Sequence, residues 1–235
     1  MRALLGSLLF DPFFLSHRAL RAAIAVQADS LQGVLLDVGC GAAPYKPLFA
    51  HATYLGAEVP AASPHGSAKR PDLLFDGCNL PMADASVDAV LCSQVLEHVF
   101  EPLPFLREIR RVMRVGGSLL LTVPFVWDEH EQPYDYARYS SFGLRHLAAK
   151  NGFRVDVAER TLGDASLFAQ LWLAYLFKVM RPLPTLLRKP LLIAATGPTN
   201  VLGMLFGRLL PTSPDLYLDN VMIWTKLSER EAHAS

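Results

Sequence analysis

Acidic side chains are missing from one long stretch of this 235-residue chain. Residues 165–213 hold Lys178, Arg181, Arg188, Lys189 and Arg208 but no Asp or Glu. Elsewhere the balance is restored, because Lys plus Arg and Asp plus Glu both number 22 over the whole chain. A formal charge of zero gives no global field toward nucleic acid, and no basic, aromatic-laced groove is visible, so a nucleic-acid partner is not expected. Cysteine is scarce and odd in number. Cys40, Cys78 and Cys92 lack metal-ligand spacing, and each falls in or beside an expected strand, so reduced thiols and a cytoplasmic setting are expected. No run of eighteen strongly apolar residues escapes interruption by charge, Pro or Gly, which argues against a spanning helix. Near the N-terminus, Asp11 and Pro12 cut the apolar run too early for a secretory leader. No internal repeat is present.

What is present is alternation of strand and helix patterns. Residues 12–29 read as an amphipathic helix broken by Gly33. VLLDV (34–38) is an apolar strand ending at a glycine turn, and Tyr54–Val59 is a second strand ending at the acidic Glu58. Residues 60–71 (PAASPHGSAKRP) are a loop by composition. Strands follow at Leu73–Phe75 and Val87–Cys92, then a helix from Phe105 closed by Gly116. SLLLTVP (118–124) is apolar without alternation, the mark of a strand buried on both faces. Ser140 or Ser141 is positioned to cap a helix that stops at Gly152, and FRVDVAER and NVMIWTKL complete the strands. Strands and helices alternating at this spacing predict an α/β fold, a parallel sheet with helices on both faces.

The first turn, Asp37-Val38-Gly39-Cys40-Gly41, ends the first strand, where open α/β sheets place their ligands. Without Cβ atoms, Gly39 and Gly41 let backbone turn tightly and approach a ligand, and the expected following helix would offer free N–H groups. Glu58 lies 58 − 37 = 21 residues after Asp37, at the end of the next strand, where an acid accepts hydrogen bonds from ribose hydroxyls. A nicotinamide site needs Gly or Ala three residues after the second glycine; here that residue is Pro44.

These residues, with FDGCNLPMADASVDAVLCSQVLEHV from Phe75, resemble the class I S-adenosylmethionine-dependent methyltransferases, specifically the type 11 family. The resemblance covers about residues 33–161 and the final strand. It implies a Rossmann-like, doubly wound, mostly parallel seven-stranded sheet with an antiparallel last strand. Residues 33–161 and 215–228 would form the cofactor domain, with an N-terminal helix over 1–32 and a hydrophobic helical insertion over 162–214. It also implies roles. Asp37 would belong to the cofactor site, Gly39 and Gly41 would flank the methionine moiety, Glu58 would hold the ribose, Asp76 and Gly77 (with Cys78 backbone) would meet the adenine, and Ser93 would sit near the methionine amine. An Asx-type turn before Gly77 is the competing reading of Asp76.

Two stretches are expected at the open end of the sheet. Gln94-Val95-Leu96-Glu97-His98 is similar to a run in quinone-type O-methyltransferases that binds a metal through a Glu at the Gln94 position. Gln94 departs from that pattern, and no metal is expected; His98 either meets substrate or packs beside the cofactor. The second stretch, Asp128 to Tyr139, crowds Tyr134, Tyr136 and Tyr139 around His130, Asp135 and Arg138. It resembles a segment of one type 11 branch. An imidazole titrates near neutral pH, so His130 is a candidate base for a hydroxyl acceptor. Arg138 with Asp135 either fixes the loop or holds an anionic acceptor.

The acid-free segment exceeds the hairpin that joins the last two strands in a simple fold of this family. Prolines 182, 184, 190 and 198 are expected to cut it into short helices, too short to cross a bilayer. Basic, aromatic-rich helices of this kind suit an anionic membrane surface, a cap over an apolar or lipid-linked acceptor, a homodimer interface or an enlarged core. A membrane-associated protein that binds the cofactor without turnover is the alternative to an enzyme.

Overall fold

An apolar strand without alternation must be covered on both faces, and β1 (Val34–Val38) is buried over four of its five residues. In the computed structural model, which describes residues 2–60 and 71–232, β1 lies near the middle of a seven-stranded sheet. The other strands are β2 (Thr53–Glu58), β3 (Leu73–Leu74), β4 (Val87–Ser93), β5 (Met113–Pro124), β6 (Phe153–Arg160) and β7 (Asp219–Lys226). Their order is β3-β2-β1-β4-β5-β7-β6. The pairs from β3 through β5 are parallel, and β7 runs antiparallel between β5 and β6. The expected loop at 60–71 lies, except at its two ends, outside the described residues.

The chain divides into two compact units. The larger comprises Ala23–Phe125, Glu129–Glu159 and Asn220–Ser235 and holds the core of the sheet. Its helix α3 (Pro102–Val112) buries Phe105, Leu106, Ile109 and Val112 at helical spacing, among Val90, Leu119, Leu121 and Trp224 of the same core. Ser140 caps α4 (Ser141–Lys150), its Oγ accepting from Gly143 N at 3.2 Å. Two expectations are corrected here. Helix α3 ends at Val112, not Gly116, because Met113 turns extended and pairs with Val87. Pairing then jumps to Ala89–Ser118, so residues 114–117 bulge from β5. No α-helix follows Gly41 either; a turn leads to a short 3-10 segment, Lys46–Phe49. Pro44 and Pro47 each lack an N–H, and Ala43 takes a positive φ of 52°.

The smaller unit comprises Met1–Ala22, Val126–Asp128 and Arg160–Asp219. It contains α1 (Arg2–Phe10), the first half of α2 (Phe14–Gln27), α5 (Ser166–Val179) and α6 (Thr185–Leu209). The N-terminal segment is therefore two helices, parted at Asp11 and Pro12. Two fully buried amides hold that break. Gln170 Oε1 accepts from Ser16 N at 3.0 Å while its Nε2 donates to Pro12 O, and Asn200 Nδ2 donates to Leu8 O at 2.9 Å. The expected fragmentation of 185–209 is overturned: α6 is one helix of 25 residues containing Pro190 and Pro198. Each proline removes a single intrahelical bond, and packing against α1 and α5 holds the remaining turns.

One buried group makes stability depend on pH. Asp37 is 3% exposed, and its Oδ2 accepts from the Tyr54 hydroxyl. Burial pushes its carboxyl up to about 7; the Tyr54 bond opposes the shift and the charge of Glu58 adds to it. The folded chain thus disfavours ionised Asp37, and stability falls as pH rises from the unfolded value, about 4, through the folded one. Asp37→Asn keeps an acceptor for Tyr54 but cannot ionise. Urea unfolding should show its stability relative to wild type improving from about pH 5 to about pH 8, by on the order of 2–4 kcal/mol. An unchanged difference at the two pH values would contradict the buried-acid assignment.

Candidate active site

Parallel register brings the first group of candidates to one row. Val38 pairs with Ala57 on β2 and with Cys92 on β4, so the residues just beyond meet at the carboxyl edge. Gly39 N and Cys40 N both donate to Ala57 O, at 2.9 and 3.1 Å. Gly39 has φ +72°, and a Cβ built there would stand 2.5 Å from Val95 Cγ2, so glycine is required twice over. Gly41, φ +50°, faces open space and donates its N–H to Glu58 Oε2 at 2.7 Å. The glycine turn and the strand-end acid are therefore in direct contact. Asp37 sits beneath this turn, bonded to Tyr54.

Asp76 makes the Asx-type turn. Oδ1 accepts from Cys78 N and Asn79 N, and Oδ2 accepts from Asn79 Nδ2 at 2.8 Å. These bonds, the Asn79 side chain first, lower its carboxyl to about 2. Gly77 takes φ +88° within that turn. Beside it lies an open groove of about 410 Å³ between Pro60, Leu74, Phe75, Asp76, Leu80 and Pro81, with Asn79 at its edge. Sequence reasoning missed the groove and Asn79, because its apolar walls come from the flanks of the motif and not from the motif itself. Ser93 Oγ is paired with Thr122 Oγ1 at 2.9 Å. Of the three thiols, Cys40 and Cys92 are buried and Cys78 is exposed. Burial, with nearby carboxylates, pushes the Cys40 thiol up to about 12 and Cys92 well above its usual value.

The second group assembles around Glu97. Its carbonyl accepts from Tyr136 N at 2.8 Å and Ala137 N at 3.2 Å, which hangs the 129–139 loop on the Leu96-Glu97-His98 turn. The Glu97 side chain is fully buried. His98 Nδ1 lies 2.9 Å from Tyr134 O, and its ring meets that of His130 edge-on at 4.8 Å. His130 Nδ1 is 3.2 Å from Asp135 Oδ2, and its backbone N–H donates to the same oxygen at 2.9 Å. A proton on Nδ1, facing the carbonyl or carboxylate, would leave Nε2 of each imidazole as the acceptor, and Arg138 Nη2 also stands 3.4 Å from His130 Nδ1. One donor atom from each of Glu97, His98 and His130 falls within 4.8 Å of the others, a set able to hold a metal ion.

The Asp135 side chain is 3% exposed, and Arg138 grips it with two bonds of 2.6 Å. Burial alone would raise the Asp135 carboxyl, but Arg138 and the His130 N–H outweigh it and hold it at about 2. A depressed carboxyl contributes stability above its unfolded value, so this fastening persists until pH falls from about 4 toward 2. Arg138 also donates to Ala137 O, and the observed geometry is that of loop fixation. Tyr134 and Tyr136 are exposed at 62% and 45%, and Tyr136 meets Phe100 edge-on. Tyr139 is half-buried against the core and its carbonyl accepts from Asn220. The exposed tyrosines can meet an acceptor; Tyr139 supports the loop from below.

Comparison with known proteins matches residues 36–121 to a family model described as a methyltransferase domain, the type 11 family. An uncharacterized methyltransferase of Mycobacterium ulcerans (strain Agy99) is 38% identical over 113 residues, 44% of each chain. The chain thus spans less than half the length of that relative. Among solved structures, the [4+2]-cyclase SpnF superposes with a TM-score of 0.57 at 20% identity, covering 88% of this chain and 80% of that one. Phosphoethanolamine N-methyltransferase 2 of Haemonchus contortus, solved with S-adenosyl-L-methionine, superposes at 0.56 with 16% identity, covering 88% and 52%. Likeness at such identity speaks for the fold alone, and a cyclase among these neighbours shows that this fold serves more than one chemistry. Residues 36–121, which carry the glycine turn, Glu58 and Asp76, are thus similar to a methyltransferase domain, and the sheet around them has the fold of the solved methyltransferases.

Proposed function

We propose that this chain is an S-adenosylmethionine-dependent methyltransferase acting on a hydroxyl of a small or lipid-linked acceptor in the cytoplasm. The observation that carries the reading is the contact of Gly41 N with Glu58 Oε2, beside the groove at Asp76. A strand-end carboxylate touching a glycine turn is a ready ribose site, and an apolar groove with Asp76 and Asn79 at its edge suits an adenine ring. The residues present fit this cofactor. When bound, it supplies a methyl group activated on a sulfonium sulfur. Glu58 holds the ribose, Gly39 and Gly41 give backbone access to the methionine end, and the Asp76 turn holds the adenine.

On the acceptor side, His130 takes the hydroxyl proton at Nε2 as the oxygen becomes nucleophilic. Asp135 orients the ring and stabilises the imidazolium, as a carboxylate beside Nδ1 does. Arg138 acts on Asp135 and so is a positioning residue. Tyr134 and Tyr136 offer an apolar, partly polar wall for the acceptor. A second version is favoured by the Glu97, His98 and His130 cluster: a divalent ion held there would lower the pKa of an acceptor hydroxyl directly.

Isothermal titration should show Glu58→Gln weakening S-adenosylmethionine binding roughly tenfold to hundredfold, the worth of a charged hydrogen bond. Gly39→Ala should abolish binding while circular dichroism stays native. Undiminished affinity in both variants would remove the cofactor assignment.

Using cofactor with a labelled methyl group and host extracts, His130→Asn should cut transfer roughly 10²–10⁴-fold with cofactor affinity intact. Chelator treatment separates the two versions: transfer unaffected by chelation supports His130 as base, and transfer lost with chelator and restored by a divalent ion supports the metal. Label entering the organic phase would mark an apolar or lipid-linked acceptor, and label confined to the aqueous phase would discard it. Cofactor binding without transfer to any acceptor would favour a binding protein.

A further inference from the structure

The smaller unit presents an apolar face on a segment, residues 165–213, whose charged side chains are all basic. Along α6, Leu187, Leu191, Leu202, Leu205 and Leu209 are all exposed, between 48% and 68%. At the helical repeat they share one side, opposite the buried Thr196, Asn200 and Gly203. Gly203 faces α5, a Cβ there falling 2.7 Å from Ala169 Cβ, and the outer side is left to solvent. On α5, Trp172 and Tyr175 are both more than half exposed and stack at 5.5 Å. Such amphipathic rings favour a boundary between apolar and aqueous phases.

Charge identifies what fits this face. Lys178 pairs with Asp128 at 2.7 Å, but Arg181, Arg188, Lys189 and Arg208 make no ion pair among the described residues. By the helical repeat, Arg188 and Arg208 fall on opposite flanks of the leucine side. Arg208 also borders a cavity of about 150 Å³ with Arg18. Apart from a weak 3.6 Å contact to Met204 Sδ, the Arg18 guanidinium has no bonded partner among the described residues, and Asp164 in the same cavity is turned to Ser166 N at 2.7 Å. Two arginines there can share one phosphate.

We propose that the smaller unit docks on an anionic phospholipid bilayer, with α5 and α6 lying in the plane of its surface and a lipid phosphate between Arg18 and Arg208. A second copy of the chain would also cover apolar surface. A two-fold contact, however, would set the same cations against themselves with no acid from 165–213 to separate them. By length and composition α6 could cross a bilayer, alone among the described helices, and only 22% of its most apolar stretch is buried within the chain. Yet α1, of 9 residues, and α5, of 14, lie along it, and neither reaches the about 20 residues a crossing needs. In-plane docking buries the leucines and leaves the arginines at headgroup level. This surface is independent of methyl transfer, so its test does not rest on the cofactor reading.

The test uses the full chain and sedimented vesicles. Binding should be strong to equal parts phosphatidylglycerol and phosphatidylcholine, with a blue shift of tryptophan fluorescence. It should be weak to pure phosphatidylcholine and should fall as salt rises. Arg18→Ala with Arg208→Ala should reduce binding to the anionic vesicles roughly thirtyfold. Leu187→Glu with Leu205→Glu should abolish it, while circular dichroism and an unchanged thermal melting temperature confirm an intact fold. Equal binding to neutral and anionic vesicles, or no loss in either double variant, overturns the proposal. So does a dimer that the leucine variants dissociate without any vesicle uptake, and so does bound protein that only detergent, not salt or alkaline carbonate, releases.

Discussion

The parallel register of β1 with β2 and β4 is the constraint on which the site depends. Because side chains alternate along a strand, a slip of one residue would exchange the two faces of β1 and part Gly41 from Glu58. The register is secured from above as well as within. Ala57 O receives two consecutive N–H groups of the glycine turn, and Val95 fills the space a side chain at Gly39 would need. Backbone conformation, strand pairing and packing converge there on one arrangement.

Irregular segments elsewhere are held by buried polar ties. The 129–139 loop hangs on one carbonyl, that of Glu97, and is pinned internally by Asp135 through Arg138 and the His130 N–H. In the helical unit, Gln170 and Asn200 play the same part for the break between α1 and α2. Buried polar groups are costly unless bonded, so such ties specify one geometry strongly. A loop held in that way can carry chemistry without depending on regular structure for its shape.

Most of the sheet was legible in the sequence because its central strands are apolar runs, the first of them closed by a glycine turn. VLLDV, VDAVLC and SLLLTVP all became strands, and the spacing of Asp37 and Glu58 anticipated their neighbouring ends. Failures came where a local rule met a stronger nonlocal one. Pattern alone carried α3 to Gly116, but pairing with Val87 drew Met113 into β5. Prolines were read as breaks in 185–209, while packing against α1 and α5 kept α6 whole. After Gly41 the error was reversed, since a helix was expected and Pro44 and Pro47 exclude one. Within the site, the residue types near His130 were visible, but their division of labour was not. That depends on which side chain is turned inward, and Asp135 and Tyr139 are turned in while Tyr134 and Tyr136 are turned out.

The uneven burial of the cysteines gives the molecule a single chemical handle. A thiol reacts as its thiolate and only where a reagent can reach it, which sets Cys40 and Cys92 aside. Cys78 remains, exposed on a turn whose backbone is fixed by the Asp76 carboxylate, between Asp76 and Asn79, which both line the groove. A fluorophore or spin label would therefore attach at one position in the natural chain, with no cysteine removed, and report directly on whether the groove is filled.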